Sequence, residues 1–316
     1  MRRVALIYNP ASGQQSPRHR AAISKALAAL HAAGIQAEAL ETRGPGDASA
    51  RAWEAIRAGC DTILACGGDG TVHEVLQSLV GTEIALGVIP LGTANALAQD
   101  LGLGSSPARA VRKLLAATPV RVSVGHITYR KGKGKVHSRY FTVAAGVGAD
   151  ALFLSHLDAG LKRRFGYALY LFEGFRLWAT HSFPLFEAAF VERGSSQPRV
   201  EQISQLLAIR IRNFGGLLHN FAPGASLRSE GLRLIAFRTR SRLRYFRFLL
   251  AVIFGRQTFS RDIELLDAVS VECRPLNSSS VRVFAEADGE LLGHLPVRID
   301  IVRDAVMLLI PPGARP

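Results

Sequence analysis

Most of the signals that would announce a function are missing from these 316 residues. Cysteine is scarce: Cys60, Cys66 and Cys273 are odd in number and carry no metal-ligand spacing. That excludes a disulfide framework or a zinc ribbon and makes free thiols in a reducing cytoplasm the expectation. No apolar run reaches the roughly 20 residues that a membrane-crossing helix needs. The opening Met1-Arg2-Arg3-Val4-Ala5-Leu6-Ile7-Tyr8 is too short in its apolar part for a signal peptide, stops at Asn9-Pro10, and reads as a first buried strand. There is no Gly-x-x-x-x-Gly-Lys-Ser/Thr loop, no His-Glu-x-x-His pair and no Gly-x-Ser-x-Gly elbow, and Gly146-x-Gly148 lacks the third glycine of a dinucleotide fingerprint. Repeats and low-complexity tracts are absent too. Acidic residues are also in short supply, 25 Asp plus Glu against 39 Lys plus Arg, for a formal net charge of +14. Such a balance favours anionic partners, although an arginine-rich genome produces the same excess without one.

What is present is concentrated in two loops. Gly67-Gly68-Asp69-Gly70-Thr71, continued by Val72, His73 and Glu74, leaves the β-rich run 62–66 and enters an amphipathic helix near Thr71. A glycine-rich strand-to-helix turn lets backbone amides converge on an anion, and the helix N-terminus adds positive potential. Asp69 inside such a turn would repel phosphate unless a divalent cation lay between them, so the loop implies a nucleotide with Mg²⁺. Pro90-Leu91-Gly92-Thr93-Ala94-Asn95 repeats the arrangement after the next strand, 84–89, and two such turns on neighbouring strand ends face one crevice.

Strand-like runs at 4–8, 35–40, 62–66 and 84–89 alternate with helix-like segments at 20–32, 48–58 and 107–116. This order predicts a parallel sheet with helices on both faces over residues 1–119. From 120 onward, short β-branched runs at 120–129, 139–145, 206–212, 232–238, 269–274, 281–287, 297–301 and 306–310 predict a mostly antiparallel, sandwich-like domain over 120–316. It carries helical insertions, and its last strand or strands pack back on the first domain. Two insertions are rich in aromatic and apolar residues: 165–186, preceded by Lys162-Arg163-Arg164, and 243–254, flanked by Arg240, Arg242, Arg244 and Arg256. Each fits a core helix, the plainer reading, and each fits a helix lying on a membrane with arginines at the phosphates.

Taken together these motifs resemble the diacylglycerol kinase catalytic-domain family of lipid kinases, which includes sphingosine and ceramide kinases. More remotely the chain resembles NAD kinase and phosphofructokinase, which share the Gly-Gly-Asp-Gly element. The resemblance spans nearly the whole chain. Asn9-Pro10-Ala11-Ser12-Gly13 matches the family's first loop, Thr42 a Thr after its second strand, Gly146-Val147-Gly148-Ala149-Asp150 its mid-chain Gly-x-Gly-x-Asp, and Asp288-Gly289-Glu290 its late Asp-Gly-Glu. The resemblance implies an NAD kinase-like α/β domain with a β-sandwich partner, ATP as co-substrate with Mg²⁺, a lipid acceptor, and a cytoplasmic protein peripherally bound at the inner face of an anionic membrane. Nucleic acid is not expected as a partner, and the oligomeric state is left open.

Phosphoryl transfer asks for a phosphate cradle, a cation and a group that accepts the alcohol proton. The cradle is Asn9, Pro10, Ala11, Ser12 and Gly13 with Gly67, Gly68, Gly70, Thr71, Val72, His73, Gly92 and Thr93, and Asp69 is the cation's holder. Glu74 fits a nucleotide contact and a structural role equally. Asn95 reads as a helix N-cap ahead of a ligand contact, and Thr42 as a nucleotide contact or an exposed loop residue. On spacing alone Asp288-Gly289-Glu290 is a hairpin turn. The resemblance instead implies that Glu290, or next Asp288, is the base that activates the lipid hydroxyl. It also implies a second, structural Mg²⁺ site in Leu227-Arg228-Ser229-Glu230-Gly231-Leu232, with Glu230 and the carbonyls of Leu227 and Leu232 as ligands. Ser229 and Arg228 weaken that set, and Ala96 and Val143 are further departures. Two alternatives are a kinase of a soluble acceptor such as NAD or a sugar, which would not need the aromatic insertions, and a non-catalytic nucleotide-binding regulator, against which Asp69, Asp288 and Glu290 all stand.

Overall fold

The computed structural model describes residues 1–10, 17–131, 135–149, 183–195, 197–214, 221–256, 259–276 and 282–314. The first third forms β1 Arg3–Tyr8, α1 Pro17–Ala32, β2 Gln36–Glu41, α2 Asp47–Arg57, β3 Thr62–Gly67, α3 Asp69–Leu79, β4 Ala85–Pro90, α4 Ala96–Asp100 and α5 Pro107–Leu115. The strands run parallel in the order β2-β1-β3-β4. Every residue of β3 and β4 is buried, as expected of apolar strands covered by helices on both faces.

The second part adds β5 Thr118–Lys131, β6 Lys135–Phe141, β7 Ala144–Val147, β8 Phe186–Glu192, β9 Arg199–Ile203, β10 Gln205–Ile209, β11 Leu232–Phe237, α6 Arg242–Ile253, β12 Ile263–Pro275, β13 Phe284–Ala287 and β14 Glu290–Ile310. The sheet continues as β4-β14-β13-β7-β10-β11-β12-β8-β9, with β5 and β6 on the other edge of β14 and a closing pair between β12 and β14. Around these antiparallel pairings Phe141, Phe186, Phe190, Leu206, Val271 and Ile299 build a core of their own. β14 belongs to both parts: its first half pairs with β13, β12 and β5, while Met307 and Leu308 pair in parallel with Ala85 and Leu86 of β4.

The elements depart from the sequence reading in a few places. The run 139–145 is two strands, because the chain breaks at Thr142-Val143 to turn its amides toward Asp288. The runs 297–301 and 306–310 are one strand, irregular between Val302 and Val306. β8 and β9 were not anticipated. Phe186, assigned by pattern to a helix, opens β8 with its side chain in the sandwich core. The rest of the 165–186 insertion up to 182 lies outside the described residues, as do Ala11, Ser12, Gly13 and Asp150.

Candidate active site

β3 and β4 are paired in register up to Gly67 opposite Pro90, so both glycine turns leave the sheet at the same edge. The Leu91 N–H donates to the Gly67 carbonyl at 2.9 Å. A Cβ added to Gly92 would lie 2.5 Å from the Gly68 Cα, and one added to Gly67 would lie 2.4 Å from the Thr71 Oγ1. Space, not a left-handed backbone, makes glycine necessary here, since Gly68 is extended at φ −90°. The two loops therefore form one unit at the N-terminus of α3, the positive end of its dipole.

Asp69 ties the unit together. Its Oδ1 accepts the Ala96 N–H at 2.8 Å, which caps α4. Asn95 occupies the N-cap position of α4, but at φ 50° its side chain turns back to Gly92, accepting that N–H at 3.0 Å and donating to that carbonyl at 2.7 Å. Asn95 is thus a staple of the loop rather than a helix cap. Burial, together with the like charge of Asp288, pushes the Asp69 carboxyl above the usual carboxylate range, although the Ala96 N–H opposes the shift.

Other predicted positions take different parts. Val72 lies in the hydrophobic core and its N–H is spent on the Gly68 carbonyl, so it offers a ligand nothing. Both Glu74 oxygens are engaged by the α2 N-terminus, from Gly46 N–H at 2.7 Å and Ala48 N–H at 3.0 Å, which makes it structural. Thr71 is buried against Gly67, and Thr93 is exposed at the loop tip. Thr42 is buried, not an exposed loop residue. With Pro10, Arg43 and Arg51 it lines a cleft of about 590 Å³ at the ends of β1 and β2, where Asn9 leaves β1.

From the second part comes the hairpin between β13 and β14. Asp288 and Gly289 both have positive φ, 48° and 84°, the geometry of a two-residue turn, with Ala287 paired to Glu290. The Asp288 carboxylate is only 3 % exposed. Its Oδ1 accepts the N–H groups of Val143 at 2.9 Å and Ala144 at 3.0 Å, its Oδ2 that of Thr142 at 3.0 Å, and His73 Nδ1 stands 3.4 Å from Oδ2. So saturated a carboxylate is an anchor, not the proton acceptor. Glu290 is the opposite case: its side chain is 42 % exposed, and the only polar neighbour in reach among the described residues is His73 Nε2 at 3.8 Å. It hangs beside Gly70, whose added Cβ would be 3.6 Å from Oε1.

His73 joins the two carboxylates and is 1 % exposed, with Nε2 lacking a hydrogen-bond partner. Burial pushes its imidazolium down, but the hydrogen bond and charge of Asp288, with Glu290 behind, outweigh it and the net shift is upward. Gln77, one turn on, donates to the Tyr140 carbonyl and accepts the Tyr140 N–H, each at 2.9 Å, docking β6 on α3. Sequence reasoning missed that Asp69, His73 and Gln77 reach α4, the β13–β14 hairpin and β6 in turn. The signal was their spacing of four, which sets all three on one face of α3.

The second-domain Mg²⁺ site is not assembled. Glu230 faces Arg193 at 2.9 Å and Arg303 at 3.7 Å, half exposed, and Leu232 opens β11 opposite Ala268. The Leu227 carbonyl accepts instead from the guanidinium of Arg210. No group of three metal-ligating side chains occurs among the described residues.

Comparison with known proteins agrees with this architecture. A diacylglycerol kinase catalytic domain matches residues 3–127, and a YegS C-terminal NAD kinase beta sandwich-like domain matches residues 143–310. Among curated relatives, diacylglycerol kinase of Bacillus subtilis (strain 168) is 27 % identical over 298 residues, covering 94 % of this chain and 92 % of that protein. The Staphylococcus saprophyticus enzyme of that name is 25 % identical over 93 % of this chain and 92 % of its own. A crystal structure of a diacylglycerol kinase from Bacillus anthracis str. Sterne superposes with a TM-score of 0.70 at 19 % identity, covering 99 % of this chain and 98 % of that one. Yeast NADH kinase complexed with NADH reaches 0.51 at 11 % identity, covering 98 % and 83 %. At these identities the two structures speak for the fold alone.

Proposed function

Since the chain belongs to the diacylglycerol kinase catalytic-domain family, we propose that it is an ATP- and Mg²⁺-dependent kinase that transfers the γ-phosphoryl group to the hydroxyl of a diacylglycerol-class lipid. The observation that carries this reading is the place of Glu290, an uncommitted carboxylate beside Gly70 at the mouth of the glycine unit. An acceptor hydroxyl between Glu290 and a phosphate on the loops is oriented by Glu290 and gives up its proton there as the bond to phosphorus forms. Asp288, fixed by three amides, holds His73 so that Nε2 faces Glu290. The amides of the glycine unit and the α3 dipole hold the phosphates.

Asp69 fits a cation holder, because a carboxylate raised by burial and by a neighbouring like charge is relieved by a divalent ion. When bound, Mg²⁺ neutralises charge developing on the phosphates. The lipid acceptor is supported by α6, whose Phe248 and Val252 pack on the sandwich while Leu243, Phe246, Leu249, Leu250 and Phe254 are exposed. Arg240, Arg242, Arg244, Arg247 and Arg256 lie along and beside α6, Arg244 paired with Asp262, and an anionic leaflet satisfies both chemistries at once. No described helix is long and apolar enough to cross a membrane.

ATP consumption measured with diacylglycerol in anionic vesicles, with NAD and with no acceptor tests the reading. Turnover that depends on the lipid is expected; turnover with NAD, or none with any acceptor, overturns it. Sedimentation with anionic but not neutral vesicles, reduced by replacing Arg240, Arg242 and Arg244 with Gln, tests the docking face.

A further inference from the structure

Arg210 follows β10 and is the largest wholly buried side chain of the described residues, 0 % exposed. Its Nη1 donates to the Gly231 carbonyl, and its Nη2 lies 3.1 Å from the Ser123 carbonyl and 3.0 Å from those of Leu227 and Ser229. Four carbonyl oxygens from β5 and from the loop before β11 thus converge on one positive group. No acidic side chain pairs with it among the described residues, and Glu230 is drawn to Arg193 and Arg303. A cage of carbonyls with no charged ligand is an arrangement built for a cation, and the cation here is covalently part of the chain.

We propose that the Arg210 guanidinium is a built-in substitute for a structural metal ion, so that the second domain of this chain is held without one. The guanidinium fits the role for two reasons. Its planar fork serves several acceptors at fixed angles, and it is more weakly hydrated than an ammonium or a divalent ion, so burying it costs less. Burial pushes its pKa down to about 10, which leaves it charged at neutral pH. A second cation in the same cage is repelled. The main chain at the same residue leads toward the active site: the backbone N–H of Arg210 donates to the Val143 carbonyl at 2.9 Å, and the Val143 N–H holds Asp288 at 2.9 Å. The divalent ion proposed at Asp69 then serves chemistry only.

The test is thermal unfolding of the nucleotide-free protein in EDTA and in MgCl₂, with metal analysis of the purified chain. It is run on the wild type and on Asp69→Asn, which removes any contribution from the nucleotide site. Arg210→Ala and Arg210→Met are melted beside them, with and without a low, non-denaturing concentration of guanidinium. The Tm of the parent proteins should be the same in EDTA and MgCl₂, and no bound metal should be found. Both Arg210 variants should lose on the order of 10 °C, and guanidinium should restore part of that loss in Arg210→Ala but none in Arg210→Met, whose side chain fills the cage. A Tm that falls in EDTA in the Asp69→Asn background, stoichiometric metal there, or an Arg210→Met variant as stable as its parent would overturn the proposal. If the Arg210 variants do not fold, the EDTA comparison and the metal analysis still decide it. None of these readouts depends on kinase activity, so the proposal stands or falls apart from the proposed function.

Discussion

Asp69 and Arg210 are both charges withdrawn from water, and the fold treats them in opposite ways. Arg210 is well served, with four carbonyls around its two Nη groups, only Nε left without a partner, and no solvent contact. Asp69 also accepts backbone N–H groups, that of Ala96 foremost with those of Asn95 and of its own residue, yet burial and its carboxylate neighbour Asp288 outweigh them and press against its charge. A buried charge whose acceptors outweigh its desolvation stabilises a structure, whereas one that burial and a like charge press against is relieved by a ligand of opposite charge. The same division separates the two carboxylates of the hairpin, since Asp288 is engaged by three amides and Glu290 by none.

The sharpest way to break this contrast is within the hairpin. Glu290→Gln should lower kcat by roughly 10²- to 10⁴-fold, the usual worth of a positioned acid or base, and leave the Tm within error of the parent. Asp288→Asn should also lose activity, but with a stability loss of about 1–3 kcal/mol, because the amide's NH₂ cannot accept the N–H groups that the carboxylate did. Kinetics and melts on both variants decide the matter, and equal stability losses would erase the distinction between base and anchor.

Gly92→Ala probes the other side of the cleft. Its Cβ would meet the Gly68 Cα at 2.5 Å, a backbone contact that cannot swing away. A stability loss of about 1–3 kcal/mol and weaker ATP binding by calorimetry are expected, and unchanged binding would show that the two loops do not act as one cradle. The smallest effect belongs to Glu74→Ala, which removes the acceptor for the Gly46 and Ala48 amides. About 1 kcal/mol of stability should go, as for a lost helix cap, with kcat within about 2-fold. A large fall in kcat at unchanged stability would return Glu74 to the nucleotide.

Local chemistry made much of this legible before any coordinates. Glycines between a β-rich run and an amphipathic helix gave the loops, Asp288-Gly289 gave the turn, and the alternation of apolar runs gave both domain types. What stayed hidden depends on groups distant in sequence. Nothing near Asn95 says that its side chain folds back to Gly92, or that Asp69, 27 positions before Ala96, caps the helix in its place. Arg210 sits in an ordinary strand pattern, and its role exists only because Ser123 and the 227–231 carbonyls arrive from elsewhere. β8 was missed because Phe186 closes an aromatic run that resembles a helix stripe, and register with β12 is what makes it a strand.

The central claim is most directly tested by Asp69→Asn, with kinase activity measured in MgCl₂ and stability followed over pH in EDTA. The native Asp69 carboxyl lies above its unfolded value of 3.8, so the folded state binds that proton more tightly. Stability from this group is fully present below about pH 4 and is lost as pH rises through the native pKa. An Asn has nothing to lose there and can still accept the Ala96 N–H. The variant should therefore gain on the wild type as pH rises from 4, end more stable at neutral pH, and show at least about 10²-fold less lipid phosphorylation. Activity within a few-fold of the wild type, or a wild type that gains on the variant as pH rises, would contradict the assignment of Asp69 as a charge kept for function at the expense of stability.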